Sequence, residues 1–285
     1  MKRLQHTTLG FTAIGLLTLT ACGGDNGGTT TVDEDCEPVV EGVETANEGQ
    51  LTAAVAEYPP YVTGAGGDYA GVDGELLTEV ASALCLEPNF ETQSFTAIIE
   101  AVRNGNADLS AGNWYINEER QEQFEVSDPV YADQMAIVSE EGITSVDDLE
   151  GYSVGTTQGY LWVEDLQDVL GSSNVSLYET EQDIYQDVAV GRIEAGVITY
   201  GGGVHLLESN QDEETHLEVF EPDDRIEASV GSPESAVLIQ PGNTTLLEGV
   251  NAVIQELHET GEIEDLLAEY GLPESAAEVT GEVAE

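Results

Sequence analysis

Residues 94–112, SFTAIIEAVRNGNADLSAG, combine a helix, the turn that ends it and the strand that follows. The apolar positions of the helix recur every three or four residues and are Phe95, Ile98, Ile99 and Val102. Ser94 stands where a capping side chain is expected, and Asn104-Gly105 is a typical helix end. ADLSAG then has the composition of a short buried strand. A helix joined so closely to a strand is the repeating unit of α/β folds.

The same alternation extends in both directions from this unit. Upstream, the strand LTAAV (51–55) stops at Tyr58-Pro59-Pro60-Tyr61, and Asp73 is the expected N-cap of the next helix. Downstream, the strand-like runs are MAIVS (135–139), YSVGTT (152–157), AGVIT (195–199) and AVLIQ (237–241). Helix-like runs separate most of these strands. The predicted fold class is therefore α/β with parallel-rich sheets, over about 220 residues that suffice for two small lobes.

The segments that follow the predicted strands share an unusual composition. They are YPPY, GNWY, TTQGY and ITYGGG, all rich in aromatic residues or glycine. In sheets of this kind, ligands bind outside the carboxyl ends of the strands. We therefore expect the binding site of this protein to be built from these four segments.

Residues 1–21 have the pattern of a secretory signal peptide. Lys2 and Arg3 precede an apolar run that is too short to span a bilayer as a stable helix. The run ends in LTAC at 19–22, which resembles a bacterial lipobox and implies that Cys22 carries the lipid of the mature protein; the alternative is a buried or spare thiol. We therefore predict an extracytoplasmic location, with the N-terminal lipid anchoring the chain to the cell membrane.

The charge of the chain is strongly negative. It carries 57 Asp and Glu against 6 Lys and Arg, for a formal net charge of −51. A surface this acidic repels nucleic acid and anionic lipid, which excludes both as partners.

The same acidity suggests a protein adapted to concentrated salt, because screening relieves repulsion between surface carboxylates. We expect the thermal unfolding midpoint to fall when the ionic strength is lowered at constant pH, and to recover when salt is restored. A salt series followed by circular dichroism measures this effect. An unfolding midpoint that does not change with ionic strength would contradict the hypothesis.

The remaining cysteines and the two ends of the chain complete the organisation. Cys36 and Cys85 form an even pair in an exported chain, which favours a disulfide over two free thiols. Residues 22–50 and 276–285 lack apolar periodicity. They are predicted to be a flexible, lipid-anchored tether and a disordered acidic tail. No metal or other cofactor is predicted.

Taken in chain order, the predicted segments resemble the amino-acid (family three) class of bacterial extracellular solute-binding proteins, the receptors of ABC importers. The pieces that carry the resemblance are LTAAVAEYPPY, GVDGELLTEVASAL, SFTAIIEAVRNGNADLSAG, NEERQEQFEVSDPVY, SVGTTQGY, DVAVGRIEAGVI and VNAVIQELHETGEIEDLLAEYGL. They follow the family order from about residue 51 to 272.

The resemblance implies a two-lobed, periplasmic-binding-protein-like fold of type II. Lobe 1 would comprise 51–134 plus 232–275, and lobe 2 would comprise 135–231. The chain would cross between the lobes near Asp133-Gln134 and near Gly231-Ser232. The two lobes would close on a small solute around this two-segment hinge.

The resemblance also implies which residues contact the solute. Arg120 falls at the arginine that clamps the solute's carboxylate, for which a planar fork of donors is suited; the alternative is an exposed arginine paired with a neighbouring glutamate. The other matched positions are Tyr58 and Phe95 for the aliphatic part, Asn113 and Tyr115 for the head group, and the backbone of Gly159, Tyr160 and Leu161 for the carboxylate. Core packing is the alternative role for Phe95, and an ordinary turn is the alternative for 159–161.

Departures from the family pattern leave the solute open. Thr199 stands where the family usually has an acid that pairs with the α-ammonium, and Ala56 replaces a common aspartate. Bulky residues at 160–162 replace small hydroxyl residues, with Trp162 expected in the core, and Trp114 adds a ring beside the head-group strand. Arg120 argues for a carboxylate-bearing solute. Candidates are an amino acid, including a large apolar one, or a zwitterion with a shielded or methylated cation, such as a betaine or ectoine.

The predicted function is that of a monomeric receptor that captures this solute and delivers it to a membrane permease. One alternative is a dehydratase-like enzyme on the same fold, although the sequence has no Ser-His-Asp context and no phosphate-binding loop. The other alternative is the binding module of a sensor. The prediction is that the protein is not an enzyme.

Overall fold

The computed structural model describes residues 32, 35–64, 69–211, 214–230 and 233–281. The predicted signal peptide, the lipidation site at Cys22 and the crossing at Gly231-Ser232 lie outside the described residues. Within the described ranges, no helix is both long and apolar enough to cross a membrane.

Short strands and helices alternate along the described chain. The strands are β1 (Gln50–Val55), β2 (Glu87–Thr92), β3 (Leu109–Tyr115), β4 (Glu125–Val126), β5 (Tyr131–Ala132), β6 (Met135–Ser139), β7 (Val154–Thr157), β8 (Val175–Tyr178), β9 (Ala195–Thr199), β10 (His216–Val219) and β11 (Glu234–Ile239). The helices are α1 (Val72–Ala83), α2 (Phe95–Arg103), α3 (Glu118–Gln123), α4 (Val163–Leu170), α5 (Glu181–Ala189), α6 (Tyr200–Asn210), α7 (Thr244–Thr260) and α8 (Glu262–Glu269).

The strands form two mixed sheets. In the first sheet the order is β2-β1-β3-β11-β4, and β5 also pairs with β11. In the second sheet the order is β10-β6-β9-β7-β8. β1 is parallel to β2 and β3, and β7 is parallel to β8 and β9, whereas the pairs made by β11 and by β6 are antiparallel. The α/β two-sheet fold is thus confirmed, with sheets that are parallel only in part.

Helix α1 begins differently from the sequence prediction. Its N-cap is Gly71, at φ +93°, where a Cβ would overlap the backbone of Tyr61. Asp73 is instead buried inside the helix, where its Oδ2 accepts from the Asn113 backbone N–H (2.9 Å) and the Tyr131 hydroxyl (2.7 Å). The N-cap prediction for Asp73 is therefore wrong. Its carboxylate links α1 to the end of β3.

Residues 36–50 lie against the first sheet. Cys36 and Cys85 form the expected disulfide, with their Cα atoms 5.9 Å apart. The Ala46 N–H also donates to Asp108 Oδ1 at 2.6 Å. The prediction of a flexible tether that reaches residue 50 is wrong for this part, because the disulfide to Cys85 and hydrogen bonds to Ala83 and Asp108 fix it to the rest of the fold.

The acidic end of the chain also packs on the first sheet as far as residue 281. Ala277 is buried, and the backbone N–H groups of Thr280 and Gly281 donate to the carboxylate of Glu234. Glu234 is itself buried at the start of β11. The prediction of a disordered tail from residue 276 is therefore wrong up to residue 281, since the tail satisfies a buried carboxylate.

Removing the disulfide by the double substitution Cys36→Ser, Cys85→Ser is expected to lower the free energy of unfolding by about 3 kcal/mol. The bridge joins residues separated by 49 positions, for which the loop-entropy model gives about 4 kcal/mol and typical measured values are about 2–4 kcal/mol. Urea denaturation measures the difference. Cys22→Ser is the control, because it leaves this loop closed. A loss well below about 1 kcal/mol would mean that the contacts of residues 36–50 hold without the bridge.

Candidate functional site

A small cavity lies between the two sheets at the ends of β1, β3, β7 and β9. It is lined by Tyr58, Phe95, Gly112, Asn113, Trp114, Tyr115 and Arg120 on the side of the first sheet, and by Tyr160, Leu161, Trp162 and Thr199 on the side of the second. Every residue predicted from the sequence to contact a solute lines this cavity, except Gly159. The structure therefore brings the predicted residues together, while their contact with a solute stays a prediction.

Gly159 lies just outside this lining, in the turn after β7. Its φ is +94°, and a Cβ there would lie 3.3 Å from the Cβ of Phe95, so glycine lets the turn approach α2 closely. The Tyr160 N–H donates within the turn to the Thr157 carbonyl (3.3 Å). Of the backbone donors predicted to hold a carboxylate, that of Tyr160 is therefore already engaged.

Strand ends and helix starts position the lining side chains. Phe95 is the first residue of α2, and it belongs to the core of the first sheet while its ring faces the cavity. Both roles considered for Phe95 are therefore compatible with its position. Thr199 ends β9 and caps α6, since its hydroxyl accepts from the Gly202 N–H at 3.2 Å. Trp162 is packed in the core of the second sheet, as expected, and also lines the cavity.

Arg120 is a buried cation that forms no ion pair with any described residue. Only 7 % of its surface is exposed, and its Nη1 donates to the Tyr115 carbonyl at 2.6 Å. Its guanidinium carbon lies 5.0 Å from the centre of the Trp114 ring. Burial lowers the pKa of Arg120 to about 10, so the group keeps its charge at neutral pH. The alternative of an exposed arginine paired with a neighbouring glutamate does not describe this geometry.

The other arginines of the described chain differ in this respect. Arg103, Arg192 and Arg225 are all partly exposed and each forms an ion pair with Asp or Glu. A buried charge without a partner is costly, whereas exposed pairs contribute little. In a chain with 57 acidic residues, Arg120 is thus a buried arginine that pairs with none of those described, and its guanidinium is suited to an external anion.

Aromatic rings fill most of the space between the sheets. The Phe95 ring meets those of Tyr58 (5.3 Å between centroids), Trp114 (5.4 Å) and Tyr160 (5.4 Å). The cavity among them has a volume of about 20 Å³, which is room for about one water molecule. A space of about 450 Å³ adjoins it on the Arg120 side, and one of about 290 Å³ adjoins it on the Tyr58 side. A larger solute would therefore have to move rings or part the sheets.

Two polar atoms of the lining are buried without a hydrogen-bond partner among the described residues. They are Asn113 Oδ1 and the Tyr115 hydroxyl. Asn113 is held by its other polar groups, because its backbone N–H donates to Asp73 and its Nδ2 donates to Asp133 Oδ2 at 2.7 Å. Unpaired buried polar atoms cost free energy, so both atoms are suited to bonds with a bound molecule.

Glu181 lies next to the cavity lining, and the sequence did not reveal it. It is 5 % exposed at the start of α5, and its Oε1 accepts from the Thr199 N–H (2.7 Å) and from the hydroxyls of Tyr160 (3.0 Å) and Tyr58 (3.2 Å). Burial raises the pKa of Glu181 to about 7. Its carboxylate thus lies directly behind three residues of the cavity lining. Among 57 acidic residues, no spacing marked this one.

Tyr58 also connects the two sides of the cavity. It follows β1 of the first sheet, and its hydroxyl lies 2.7 Å from the Thr199 hydroxyl at the end of β9 in the second sheet. Asp133, between β5 and β6, adds a second connection, since it accepts from the Tyr61 hydroxyl (2.5 Å) and from the Gly201 N–H (3.2 Å). These bonds join the two halves at the cavity and at the chain crossing.

Comparison with known proteins agrees with this architecture. The profile of the bacterial extracellular solute-binding proteins, family 3, matches residues 51–273. The L-cystine-binding protein TcyJ of Escherichia coli (strain K12) is 26% identical over 221 residues, covering 76% of this chain and 80% of that protein.

Solved structures of similar proteins have the same fold. An ancestral arginine-binding protein bound to glutamine has a TM-score of 0.69 and 25% identity, and the match covers 79% of this chain and 99% of that one. The same values of TM-score and identity hold for an ancestral arginine-binding protein bound to arginine, with 78% and 98% covered.

Proposed function

This chain belongs to family 3 of the bacterial extracellular solute-binding proteins, and we propose that it is the substrate-binding receptor of an ABC importer. It captures a small solute that carries a carboxylate, either an amino acid or an amino-acid-like zwitterion. The family is extracytoplasmic, and its members are solute-binding proteins rather than enzymes. We infer that this chain likewise has no catalytic activity.

The unpaired, buried Arg120 is the observation that supports this function most directly. Its guanidinium keeps its charge in a small cavity whose lining also includes the unpaired Tyr115 hydroxyl. A carboxylate placed there receives charge-assisted hydrogen bonds from a fork that matches its geometry. The bound anion thereby replaces the counter-ion that the protein does not provide.

Capture works by closure of the two lobes, 51–134 with 232–275 against 135–231. A solute that contacts Arg120 on one side and the residues around Thr199 on the other stabilises the closed form by its differential affinity. The hydrogen bonds from Tyr58 to Thr199 and Glu181 join the same two sides. They support a closed form in which the two lobes contact each other directly at the cavity.

An amino acid is the solute class that the similarities favour. The relatives named above are described as binding cystine, glutamine or arginine, each of which carries a carboxylate and an ammonium. The aromatic lining of the cavity also suits a second kind of zwitterion, one with a methylated or shielded cation. A betaine or ectoine would place its cation against the faces of Tyr58 and Tyr160.

The cellular location of the receptor and its partner in the membrane are predicted from the sequence. We propose that the signal peptide (1–21) is removed and that Cys22 is acylated, which anchors a monomeric receptor to the cell membrane. In its closed form the receptor docks on the importer's permease. Labelling the expressed protein with an alkyne fatty acid tests the anchor, and the label should disappear in Cys22→Ser.

A ligand panel tests the function. The purified chain is titrated by calorimetry and by thermal shift with L-cystine, L-arginine, L-histidine, L-glutamine, L-leucine, glycine betaine and ectoine. A solute present at a hundred times its dissociation constant should add about 2.7 kcal/mol to the free energy of unfolding. If no solute on the panel binds, the proposed function is overturned.

A further inference from the structure

Position 199 carries threonine, and a carboxylate from a different element approaches the same point. We propose that Glu181 supplies the negative charge that recognises the cationic nitrogen of the solute, and so determines specificity for zwitterions over simple carboxylates. The proposal rests on the proposed function, since it concerns the other end of the molecule that Arg120 binds.

The position of Glu181 follows from the order of the second sheet. β7 lies between β8 and β9, and the start of α5, after β8, reaches across to the end of β9. The Thr199 N–H donates to Glu181 Oε1, and the Thr199 hydroxyl lies 3.5 Å from Oε2. The carboxylate of Glu181 therefore lies beside Thr199 at the end of β9.

The first turn of α6 leaves room for this carboxylate. A Cβ at Gly202 would overlap Glu181 Oε2, so glycine at this position allows the acid to lie against the helix. The amino end of a helix favours negative charge, which helps Glu181 to ionise despite its burial. The carboxylate is thus held in a fixed place rather than left to rotate.

Arg120 and Glu181 form a pair of opposite charges that do not bind each other. Both are more than nine-tenths buried, and within the described chain neither forms an ion pair. Arg120 belongs to the side of the first sheet and Glu181 to the side of the second, with the ring-lined cavity between. Arg120 lines the cavity on one side, and Glu181 lies directly behind its lining on the other. This arrangement matches a molecule that carries a carboxylate at one end and a cation at the other.

The groups around Glu181 provide for two kinds of cation. An ammonium with N–H donors can bond to the carboxylate in place of a tyrosine hydroxyl, and Asn113 Oδ1 is a further unpaired acceptor in the cavity lining. A methylated ammonium has no such donors, and would rest on the faces of Tyr58 and Tyr160 with the charge of Glu181 behind them. Both cations require the same carboxylate.

The test compares solutes with and without the cation in the full chain. Each amino acid of the panel that binds is paired with the carboxylic acid that lacks its α-amino group; if only glycine betaine binds, 3,3-dimethylbutanoate is its partner without the cation, and if only ectoine binds, cyclohexanecarboxylate serves. We expect Glu181→Gln to weaken binding of the zwitterion by roughly 30-fold or more, and to change binding of the partner that lacks this cation by less than about 3-fold. Glu150→Gln, an exposed acid in the same half of the protein, should change neither.

The outcomes separate this proposal from the proposed function. If binding is lost in Arg120→Ala but unchanged in Glu181→Gln, the receptor function stands and the role of Glu181 is overturned. Equal losses for both solutes would also overturn it, since they indicate a structural role. If Glu181→Gln does not fold, Glu181→Asp replaces it: the shorter side chain withdraws the carboxylate by one methylene, so it should weaken binding of the zwitterion more than that of the partner without the cation, and equal effects on both would overturn the role. A wild-type chain that binds nothing on the panel overturns both proposals.

Discussion

Replacing Arg120 by alanine is expected to weaken binding of the captured solute by roughly 100- to 1,000-fold, or about 3–4 kcal/mol. The substitution removes the one buried cation of the cavity and leaves the solute's carboxylate without its charge-assisted bonds. Arg120→Lys keeps the charge but loses the fork, so its affinity should lie between those of wild type and alanine. Calorimetric titration with the best solute of the panel measures all three affinities.

The stability of the same variants distinguishes a binding role from a structural one. Arg120 forms no ion pair among the described residues and carries the cost of burying its charge. The contacts that would be lost are its hydrogen bond to the Tyr115 carbonyl and its approach to the Trp114 ring. We therefore expect only a small change in the free energy of unfolding without solute. Arg192→Ala is the matched control, because Arg192 is exposed and paired with Asp187. An Arg120→Ala protein that binds normally, or that loses binding only because it unfolds, contradicts the assignment.

Local patterns in the sequence were sufficient to predict the α/β fold and the strand-end segments that supply much of the cavity lining. The helix spacing of residues 95–102 and the aromatic segments at strand ends are short-range features, and the parallel pairs of β1 and β7 bring those segments together. The family resemblance added the order of the segments and the match of Arg120 to a carboxylate clamp. Within each segment, both kinds of inference concern residues only a few positions apart.

Glu181 and Asp73 could not be assigned in this way. Each is held by a partner that is distant in sequence, since Glu181 accepts from Tyr58 and Asp73 accepts from Asn113 and Tyr131. Whether a carboxylate caps a helix or is buried beside another strand depends on strand order and tertiary packing. In a chain so rich in acids, composition gives no sign of which ones are buried. The packing of residues 36–50 was not predicted for the same reason, because it depends on contacts with residues that are distant in sequence.

The buried carboxyl groups make the stability of the folded protein depend on pH. Raising the pH from 5 to 8 at constant ionic strength is expected to lower the free energy of unfolding by on the order of 5 kcal/mol. Burial raises the pKa of Asp73 to about 7, that of Asp133 to about 6 and that of Glu181 to about 7. Urea denaturation at half-unit steps of pH measures the effect.

The direction follows from proton binding. In the unfolded chain these three carboxyl groups ionise near pH 4, whereas in the folded chain they hold their protons until about pH 6–7. Between these values the folded state binds more protons than the unfolded state, so stability falls as the pH rises and levels off above about pH 7. Carboxylates whose pKa is lowered by partners in the folded state would produce the opposite slope, and Asp223, with a pKa lowered to about 2, affects only more acidic solutions.

Amide substitutions assign the slope to individual groups. Asp73→Asn, Asp133→Asn and Glu181→Gln should each flatten the dependence, because an amide retains the acceptor oxygen but cannot ionise. Asp168→Asn, an exposed acid on α4, should leave it unchanged. Stability that stays constant or rises from pH 5 to 8 would mean that these carboxyl groups ionise normally inside the fold. In that case Glu181 would carry its charge without any cost of burial, and a solute cation would gain less by pairing with it.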